Sequence, residues 1–495
     1  MDNLNSQLYH SSEIRKIEDL AFTRGIDSKL LMTRAGEAIF CEIKRRWPRA
    51  KKITIVCGKG NNAGDGYVVA SLAKRAKVAV RILQLANADS LTGAAKDAYL
   101  ACKKLGIEMV PFNAEKLQDC DLIVDAIFGI GFSGGLSPIF SQAIQAINRS
   151  NLPVLAVDLP SGINADSGEV SQCAVRATVT VTLISKKIGL YLGEARNYCG
   201  EVVLDSLTLP KDLLNAAVPT ATIMNLEEEL GSLISRKRTA HKGDFGRVLV
   251  IGGDYGMGGA VRLAAEGALR AGAGYVVVAT RAEHVSQINV ARPEIMVHGI
   301  TSYSQLLPLL QAATVIVIGS GLGLKTWGKS LFKLAIAAHK PMVIDGDGLN
   351  ILASYGGYGD NWILTPHPME AARLLGTTVA DVQDNRLQAL QNIVKKYGGV
   401  CLLKGSGSLI GTMGQRSLLC DAGNPGMASA GMGDLLGGII AGLLAQRLDS
   451  FKAARLGTMI HATAGDLVAE QYGTVGMAAL DLVPFTRTIM ARKFN

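Results

Sequence analysis

Late in the chain, a glycine-rich segment leads into a carboxylate at the start of a helical pattern. The segment Gly423–Asp434 passes directly into the apolar stretch Leu435–Gln446. Small residues let backbone N–H groups approach an anion, and a helix N-terminus adds partial positive charge. Beside such an anion site, the carboxylate of Asp434 is suited to take a proton from a hydroxyl group during phosphoryl transfer. The alternative is an acidic side chain that only complements the helix dipole.

Two further segments of the second half have the composition of a ligand pocket. Lys404–Ser408 follows the apolar run Cys401–Leu403 and contains two glycines. His367 stands between two prolines, which fix a turn that suits either a pocket wall or a purely structural corner. The chain has no GxxxxGK[ST] motif, so the pattern excludes a P-loop enzyme.

In the first half, oxygen-bearing side chains follow short apolar runs. We expect parallel strands to bring them to one sheet edge, where they suit a hard cation or a polar ligand. Turn and cap chemistry is the alternative for any one of them. The side chains are Asn61, Asn62, Asp65, Asp125, Asp158 and Ser161. Two glycine patterns here also satisfy GxGxx[GA], but the strand ending at Leu85 lacks the acidic residue that would hold a ribose.

The elements that position these residues alternate between short β-branched runs and longer amphipathic segments, which is typical of parallel α/β sheets. We predict two three-layer α/β/α domains, residues 1–217 and 218–495, separated by a change of composition in Pro210–Lys242. The first has strand candidates at Ile53–Cys57, Val78–Leu83, Leu122–Ala126, Val154–Val157 and Val179–Leu183. The second has them at Val248–Ile251, Tyr275–Val278, Val315–Ile318, Met342–Ile344, Trp362–Leu364 and Val400–Leu403.

Composition narrows the class of protein. The net charge of +9 is spread along the chain, with no basic run longer than Arg236–Arg238, so no nucleic-acid partner is expected. The eight cysteines form no CxxC pair and the seven histidines no HExxH motif, which favours a reduced, cytoplasmic protein without a zinc site. The N-terminus lacks an apolar signal core, and no apolar stretch is long enough to span a membrane.

The first half resembles the NAD(P)H-hydrate epimerase domain. The resemblance is carried, in order, by GKGNNAGDG, VDAIFGIGFSG, AVDLPSGINADSG and KKIG. It implies a Rossmann-like domain that interconverts the R and S forms of NAD(P)H hydrated at nicotinamide C6. It implies a potassium ion at Asn62, Asp125 and Ser161, and proton transfer by Asp158 and Lys187, with Lys186 competing for the role of Lys187. Implied substrate contacts are Asn61, Asn62, Ala63, Gly64, Asp65, Gly129, Ile130, Gly131, Phe132, Ser133, Gly134, Gly135 and Asp158.

The second half resembles the ADP-dependent NAD(P)H-hydrate dehydratase domain of the ribokinase-like superfamily. The resemblance is carried, in order, by HKGDFGRVLVIGGDYGMGG, RPEIM, IGSGLG, DGDGLN, LTPHPMEAARLLG and AGMGD. It implies that Asp434 activates the C6 hydroxyl, which takes phosphate from ADP with magnesium present, before phosphate leaves and regenerates NAD(P)H. Implied nucleotide contacts are Lys404, Gly405, Ser406, Gly407, Ser408 and Gly433. Implied hydrate contacts are Ala260, Gly323, His367 and Asp434.

The sequence departs from the usual family pattern at Ala430, Ser320 and Gly348. A methyl group at Ala430 would crowd the anion segment if that residue required a positive φ. The leading hypothesis is a bifunctional repair enzyme, with a homo-oligomer expected by analogy. One alternative is a ribokinase-like small-molecule kinase fused to a non-catalytic Rossmann-like domain. Another is a non-enzymatic scaffold for RNA or protein, which the polar strand-end loops of the first half disfavour.

Overall fold

The computed structural model describes residues 3–132, 134–233 and 235–492 of the chain. It divides into two compact units, residues 1–222 and 223–495. The sequence places the division after residue 217. In the structure the first unit extends further because Ala221 and Thr222 pair with the N-terminal strand Gln7–Tyr9.

The first unit contains ten strands or strand segments and six α-helices within its described part. The strands are β1 Gln7–Tyr9, β2 Lys52–Cys57, β3 Ala79–Gln84, β4 Glu108–Pro111, β5 Leu122–Ala126, β6 Val154–Val157, β7 Val179–Leu183, β8 Lys186–Lys187, β9 Glu201–Asp205 and β10 Ala221–Ile223. The helices are α1 Ser11–Thr23, α2 Ser28–Arg46, α3 Asn61–Arg75, α4 Gly93–Lys104, α5 Pro138–Arg149 and α6 Lys211–Leu214.

Seven of these strands form one parallel sheet in the order β4-β3-β2-β5-β6-β7-β9. The order reverses between β2 and β5. In doubly wound sheets, ligands bind at this switch point, beyond the carboxyl ends of the strands. The loops after β2, β5 and β6 are therefore the places where the fold puts a binding site.

The second unit has helix α7 Leu226–Leu230 before its sheet. The strands are β11 Arg247–Ile251, β12 Tyr275–Thr280, β13 Met296–Gly299, β14 Val315–Ile318, β15 Met342–Ile344, β16 Trp362–Leu364, β17 Val400–Leu403, β18 Ser408–Thr412 and β19 Ser417–Cys420. The other helices are α8 Gly258–Arg270, α9 Val285–Ala291, α10 Leu307–Ala312, α11 Thr326–Ala337, α12 Gly346–Tyr355, α13 Pro368–Leu375, α14 Val379–Asp384, α15 Arg386–Tyr397, α16 Met432–Ala445, α17 Ser450–Tyr472 and α18 Leu482–Ala491.

The sheet of the second unit runs β13-β12-β11-β14-β15-β16-β17-β18-β19. It is parallel from β13 to β17 and antiparallel from β17 to β19. Its order reverses between β11 and β14, so the loops after these two strands meet at a second switch point.

Helices α8 and α16 of the second unit contact each other through their backbones. A Cβ added at Gly438 of α16 would lie 1.9 Å from the carbonyl oxygen of Ala264 in α8, and one at Gly442 would lie 2.5 Å from that of Ala268. Only glycine allows this separation at these two positions. The contact fixes where the first turn of α16, and hence Asp434, stands relative to α8.

Within the described residues, no helix is both long enough and apolar enough to cross a membrane. The longest, α17, has 23 residues, but its polar and charged side chains interrupt the apolar ones.

Candidate active sites

The first unit encloses a cavity of about 960 Å³ at its switch point. Helices α1 and α2 contribute one side of it, and the loops after β2, β5, β6 and β7 contribute the other. Of the residues named from the sequence, those that line the cavity are Asn61, Asn62, Asp65, Gly129, Ile130, Gly131, Phe132, Gly135, Asp158 and Lys187.

Three other predicted substrate contacts do not line this cavity. Ala63 and Gly64 are buried in α3, where a Cβ on Gly64 would lie 2.5 Å from Cε of Met32. Gly134 is exposed, with a positive φ of 85°. Ser133 lies outside the described residues. Only some residues of each predicted segment therefore line the cavity, because successive residues of a helix or a turn point in different directions.

The three predicted potassium ligands lie together in one hydrogen-bond network. Ser161 donates from its backbone N–H and its hydroxyl to the two carboxylate oxygens of Asp125, at 2.8 and 2.6 Å. The N–H of Phe128 donates to the Ser161 hydroxyl, and Asn62 Nδ2 donates to the Phe128 carbonyl. Asp125 is wholly buried, and burial raises the pKa of its carboxyl to about 6.

Asp158 and Lys187 form a buried ion pair beside the cavity. Lys187 Nζ donates to Asp158 Oδ1 and, at 2.7 Å, to the carbonyl of Leu183, and its side chain is 1% exposed. Asp158 has a positive φ of 68°, a conformation that costs energy for a non-glycine residue and is often found at functional sites. Lys186 is not among the residues that line the cavity and instead lies 5.5 Å from the ring of Tyr191. The geometry thus brings Lys187, of the two lysines, to the site.

In the second unit, Asp345 connects three strand-end loops. Its Oδ1 accepts from Lys404 Nζ at 2.7 Å and from the hydroxyl of Thr365 at 2.8 Å. Lys404 follows β17, and its backbone N–H donates to the carbonyl of Pro366. Burial lowers the pKa of Lys404, but the charges of Asp345 and Glu370 outweigh it, so the ammonium stays protonated.

Asp434 stands in the first turn of α16 close to this pair. Burial raises the pKa of its carboxyl to about 6, and the charge of Asp345 adds to the effect, whereas Ser320 and Lys404 oppose it. A base with such a pKa is mostly deprotonated at neutral pH and still accepts a proton readily. The environment is therefore suited to the general-base role that the sequence suggests.

Gly433 leaves little room for a side chain beside the ion pair of Asp345 and Lys404. A Cβ at this position would lie 3.2 Å from both Asp345 Oδ2 and Lys404 Nζ. Because Gly433 lies within α16, alanine is compatible with its backbone.

We predict that Gly433→Ala lowers the second unit's kcat/KM about 10-fold while leaving stability unchanged or raising it by up to about 1 kcal/mol. Activity assays and urea unfolding of the same preparation check the two effects. Gly437→Ala, one turn further along α16, is the matched comparison, because a Cβ there would lie no closer than 3.8 Å to a side chain of another element. A fall in stability parallel to the fall in activity would contradict the prediction.

The buried side chain of Arg386 supports the loop Lys404–Ser408. No sequence pattern indicates this residue. This guanidinium is 1% exposed and donates to the carbonyls of Leu403 and Lys404 at 3.3 and 3.2 Å, and to Gln383 at 2.7 Å. Burial lowers its pKa to about 10, so it remains a cation at neutral pH. No sequence motif marks Arg386, because it acts through backbone oxygens.

We predict that Arg386→Met destabilises the second unit by about 3 kcal/mol, because buried carbonyls lose their donor. It should also raise the KM for the nucleotide more than it changes kcat, since the loop and not the base is disturbed. Chemical denaturation and nucleotide titrations measure both. Arg373→Met, which removes an exposed arginine bonded to Asn350, should do neither.

His367 serves as the N-cap of α13. Its Nδ1 accepts from the backbone N–H groups of Met369 and Glu370, and the Glu370 carboxylate accepts from the His367 N–H at 2.8 Å. This reciprocal arrangement is a capping box. Burial and the charge of Lys404 lower the pKa of the imidazole, so the ring is neutral and Nε2 carries its proton.

The loop that contains Gly323 lies close to Ala260 at the second switch point. The loop after β14 approaches the start of α8, since a Cβ on Gly321 would lie 3.2 Å from that of Ala260. Gly323 donates its N–H to Asp347 at 2.8 Å, and a Cβ there would lie 2.5 Å from Asp254 Oδ2. Asp254, bound by Arg281, and Asp347 were not identified from the sequence, although both follow strands directly. Position after a strand is the signal that could have found them.

Two departures from the family pattern have a structural outcome. Ala430 is not among the residues with a positive φ, so its methyl group introduces no backbone strain in the anion segment. Ser320 is buried after β14, and its proximity lowers the pKa of the Asp434 carboxyl against the effect of burial. The local backbone is therefore compatible with Ala430 and Ser320 in place of the residues that are usual in the family.

Comparison with known proteins agrees with this organisation. Residues 248–486 match the family described as NAD(P)H-hydrate dehydratase, and residues 28–189 match the family described as YjeF-related protein N-terminus. The bifunctional NAD(P)H-hydrate repair enzyme Nnr of Coxiella burnetii is 48% identical over 98% of this chain and 99% of its own. The enzyme of the same name from Escherichia coli is 42% identical over 96% and 92%.

A solved structure gives the corresponding likeness for the second unit. The ADP/ATP-dependent NAD(P)H-hydrate dehydratase of Bacillus subtilis, co-crystallised with ATP and Mg²⁺, covers 55% of this chain and 98% of its own, with 26% identity and a TM-score of 0.50. The full-length similarity to the two repair enzymes is what decides the family. The chain belongs to the bifunctional NAD(P)H-hydrate repair enzymes.

Proposed function

We propose that this chain repairs hydrated NADH and NADPH with two activities, an isomerase in residues 1–217 and a lyase in residues 218–495. The first interconverts the R and S hydrates at nicotinamide C6. The second dehydrates the S form with ADP, giving NAD(P)H, AMP and phosphate. One observation carries the proposal. A single chain, related over its whole length to repair enzymes, has a base beside an anion loop in the second unit and a polar cavity at the switch point of the first.

In the second unit, the nucleotide is assigned to Lys404–Ser408 and the N–H of Gly433, and the hydrate to Ala260, Gly323, His367 and Asp434. Asp434 takes the proton of the C6 hydroxyl as that oxygen attacks the terminal phosphorus of ADP. Lys404 offsets the charge that develops on the phosphoryl oxygens, while Asp345, which also accepts from the Thr365 hydroxyl, holds its ammonium in place. Phosphate then leaves C6, driven by the ring nitrogen, and loss of a C5 proton restores the nicotinamide double bond.

Magnesium is assigned to the bound nucleotide and not to a protein cage. Among the described residues, no group of three or more histidine, cysteine or acidic side chains has metal-binding geometry. Magnesium commonly keeps water ligands and uses one or two carboxylates together with substrate phosphates. Asp345 and Asp347, at the start of α12, are the carboxylates that we assign to this magnesium ion.

In the first unit, the residues fit a potassium ion. The network of Asn62, Asp125 and Ser161 offers only oxygen ligands, and the Asn62 amide nitrogen is already committed to Phe128. The buried Asp125 carboxylate receives its hydrogen bonds from neutral donors, so a monovalent cation would supply the missing positive charge. Such an ion would stiffen the loops after β5 and β6 that border the cavity.

We expect replacement of potassium by tetramethylammonium to slow recovery of the R hydrate about 10-fold and to leave recovery of the S hydrate unchanged. The large cation cannot enter the network of Asn62, Asp125 and Ser161. Potassium should also raise the midpoint of thermal unfolding of the wild type but not of Ser161→Ala. An equal effect of potassium on both hydrates would contradict this assignment.

The activity itself is tested with chemically prepared R and S hydrates of NADH, mixed with the protein, ADP, magnesium and potassium. Reduced-nicotinamide absorbance should return from both hydrates, and AMP should form in equal amount. Accumulation of a stable phosphorylated product would indicate a kinase instead. No nucleotide-dependent recovery with the wild-type protein would overturn the proposal.

A further inference from the structure

Asp65 occupies an unusual place in the cavity of the first unit. It lies in the first half of α3, is 9% exposed and borders the cavity. Within the described part of the chain, its carboxyl makes no hydrogen bond and no ion pair. A buried carboxyl group normally has such a partner. One that faces a cavity without a partner is available to a bound molecule.

The charges around Asp65 favour its protonated form. Asp158 and Glu18 face the same cavity, and the lysine that could offset them, Lys187, is already bonded to Asp158 and to the Leu183 carbonyl. Burial, followed by the charges of Asp158 and Glu18, raises the pKa of Asp65 well above its ordinary value. The other charged residues that line the cavity are Arg15, Asp19 and Lys59.

The neighbouring carboxyl group has the partners that Asp65 lacks. Asp158 Oδ1 accepts hydrogen bonds from Lys187 Nζ and from the Leu183 N–H. The cavity therefore presents one carboxyl group without a partner and another that is bound to a lysine. Two carboxyl groups in such different surroundings are the usual sign of an acid and a base.

Building on the proposed function, we propose that Asp65 is the general acid and Asp158 the general base of the epimerisation, with Lys187 a positioning residue. Asp65 gives its proton to the C6 hydroxyl, the C6–O bond breaks, and water leaves as the N1 lone pair forms a C6=N1 double bond. A water molecule then adds to the opposite face of C6 and gives its proton to Asp158. The proton returns from Asp158 to Asp65 through solvent, which restores both groups, and no carbon is oxidised or reduced.

The negative charge of the cavity suits this route. The intermediate with a C6=N1 double bond is a cation, and the carboxylates of Asp158 and Glu18, which line the cavity, are placed to stabilise its positive charge. Lys187 is almost wholly buried and donates to two acceptors, Asp158 and the Leu183 carbonyl, which fits a residue that positions Asp158.

The test compares Asp65→Asn with the wild type on R and S hydrates of NADH, with ADP, magnesium and potassium present. Recovery from the R hydrate should fall at least about 100-fold, while recovery from the S hydrate stays within two-fold. Asp65→Glu should restore part of the lost rate. Asp97→Asn, an exposed carboxylate on α4, should change neither. Because an amide has nearly the shape of a protonated carboxyl, thermal unfolding of Asp65→Asn should match that of the wild type.

Two further measurements separate a catalytic role from a structural one. The wild-type rate with the R hydrate should fall as pH rises through the pKa of Asp65, since the acid must be protonated, and Asp65→Asn should lose that dependence. In ¹⁸O-labelled water, one labelled oxygen should enter C6 for each inversion. An unchanged R rate in Asp65→Asn, or inversion without label, would overturn the proposal. Failure of the wild type on both hydrates would instead overturn the proposed function.

Discussion

Replacing Asp434 with asparagine is expected to reduce recovery of NADH from its S hydrate by about 1,000-fold or more, because the amide cannot take the hydroxyl proton. The amide has the size of the carboxylate and removes a carboxyl whose pKa is raised by burial, so the fold should be retained. Single-turnover absorbance measurements with ADP check the loss, and circular dichroism checks the fold.

The pH dependence of the wild-type enzyme should identify the same group. Asp434 must be deprotonated to act, and its pKa is about 6. Activity on the S hydrate should therefore be constant above that pH and fall about 10-fold per unit below it. Asp360→Asn, which alters an exposed loop carboxylate of the second unit, should keep the wild-type profile. Substantial activity in Asp434→Asn, or an acid limb unchanged in Asp434→Glu, would assign the base elsewhere.

Replacing Asp158 with asparagine is expected to abolish recovery from the R hydrate, by about 100-fold or more, while recovery from the S hydrate continues. Asp158 is the proposed general base of the epimerisation, and an amide cannot replace a carboxylate in that role. The change also leaves Lys187 buried without its counter-charge, which should destabilise the first unit by about 3 kcal/mol.

A double variant separates these two consequences of losing Asp158. Asp158→Asn combined with Lys187→Met removes both charges and should recover much of the lost stability. It should still fail with the R hydrate, because stability is not what limits the reaction. Chemical denaturation and chiral chromatography of the remaining hydrate measure the two effects. Restored epimerisation in the double variant would show that Asp158 acts only through folding.

Much of the fold follows from patterns in the sequence. Strands that are buried on both faces, such as β6, β14 and β16, appear as continuous apolar runs, and their predicted limits are those of the structure. Strands β4, β9 and β13 were not predicted. They lie at sheet edges with polar or half-exposed residues, so their apolar content does not distinguish them from loops.

The sites were predictable where chemistry depends on residues next to each other in sequence. Asp434 and Lys404 stand in recognisable glycine-rich segments, and the structure brings them to one site beside Asp345. Arg386 could not be found in this way, because its partners are backbone carbonyls contributed by a loop distant in sequence. The neutral imidazole of His367 and the lack of partners for Asp65 are likewise properties of the folded surroundings and not of a motif.

The backbone contact between α8 and α16 joins the two sides of the second site into one rigid unit. Ala260 lies in the first turn of α8 and Asp434 in the first turn of α16, and the glycines at 438 and 442 leave no space between the two helices. In the proposed assignment, the hydrate contact at Ala260 and the base Asp434 are therefore held at a fixed distance. Any closing motion around the nucleotide must come from the opposite side, where Lys404–Ser408 follows β17. A change of substrate specificity would therefore require changes in the loops, because a larger distance between α8 and α16 would displace Asp434.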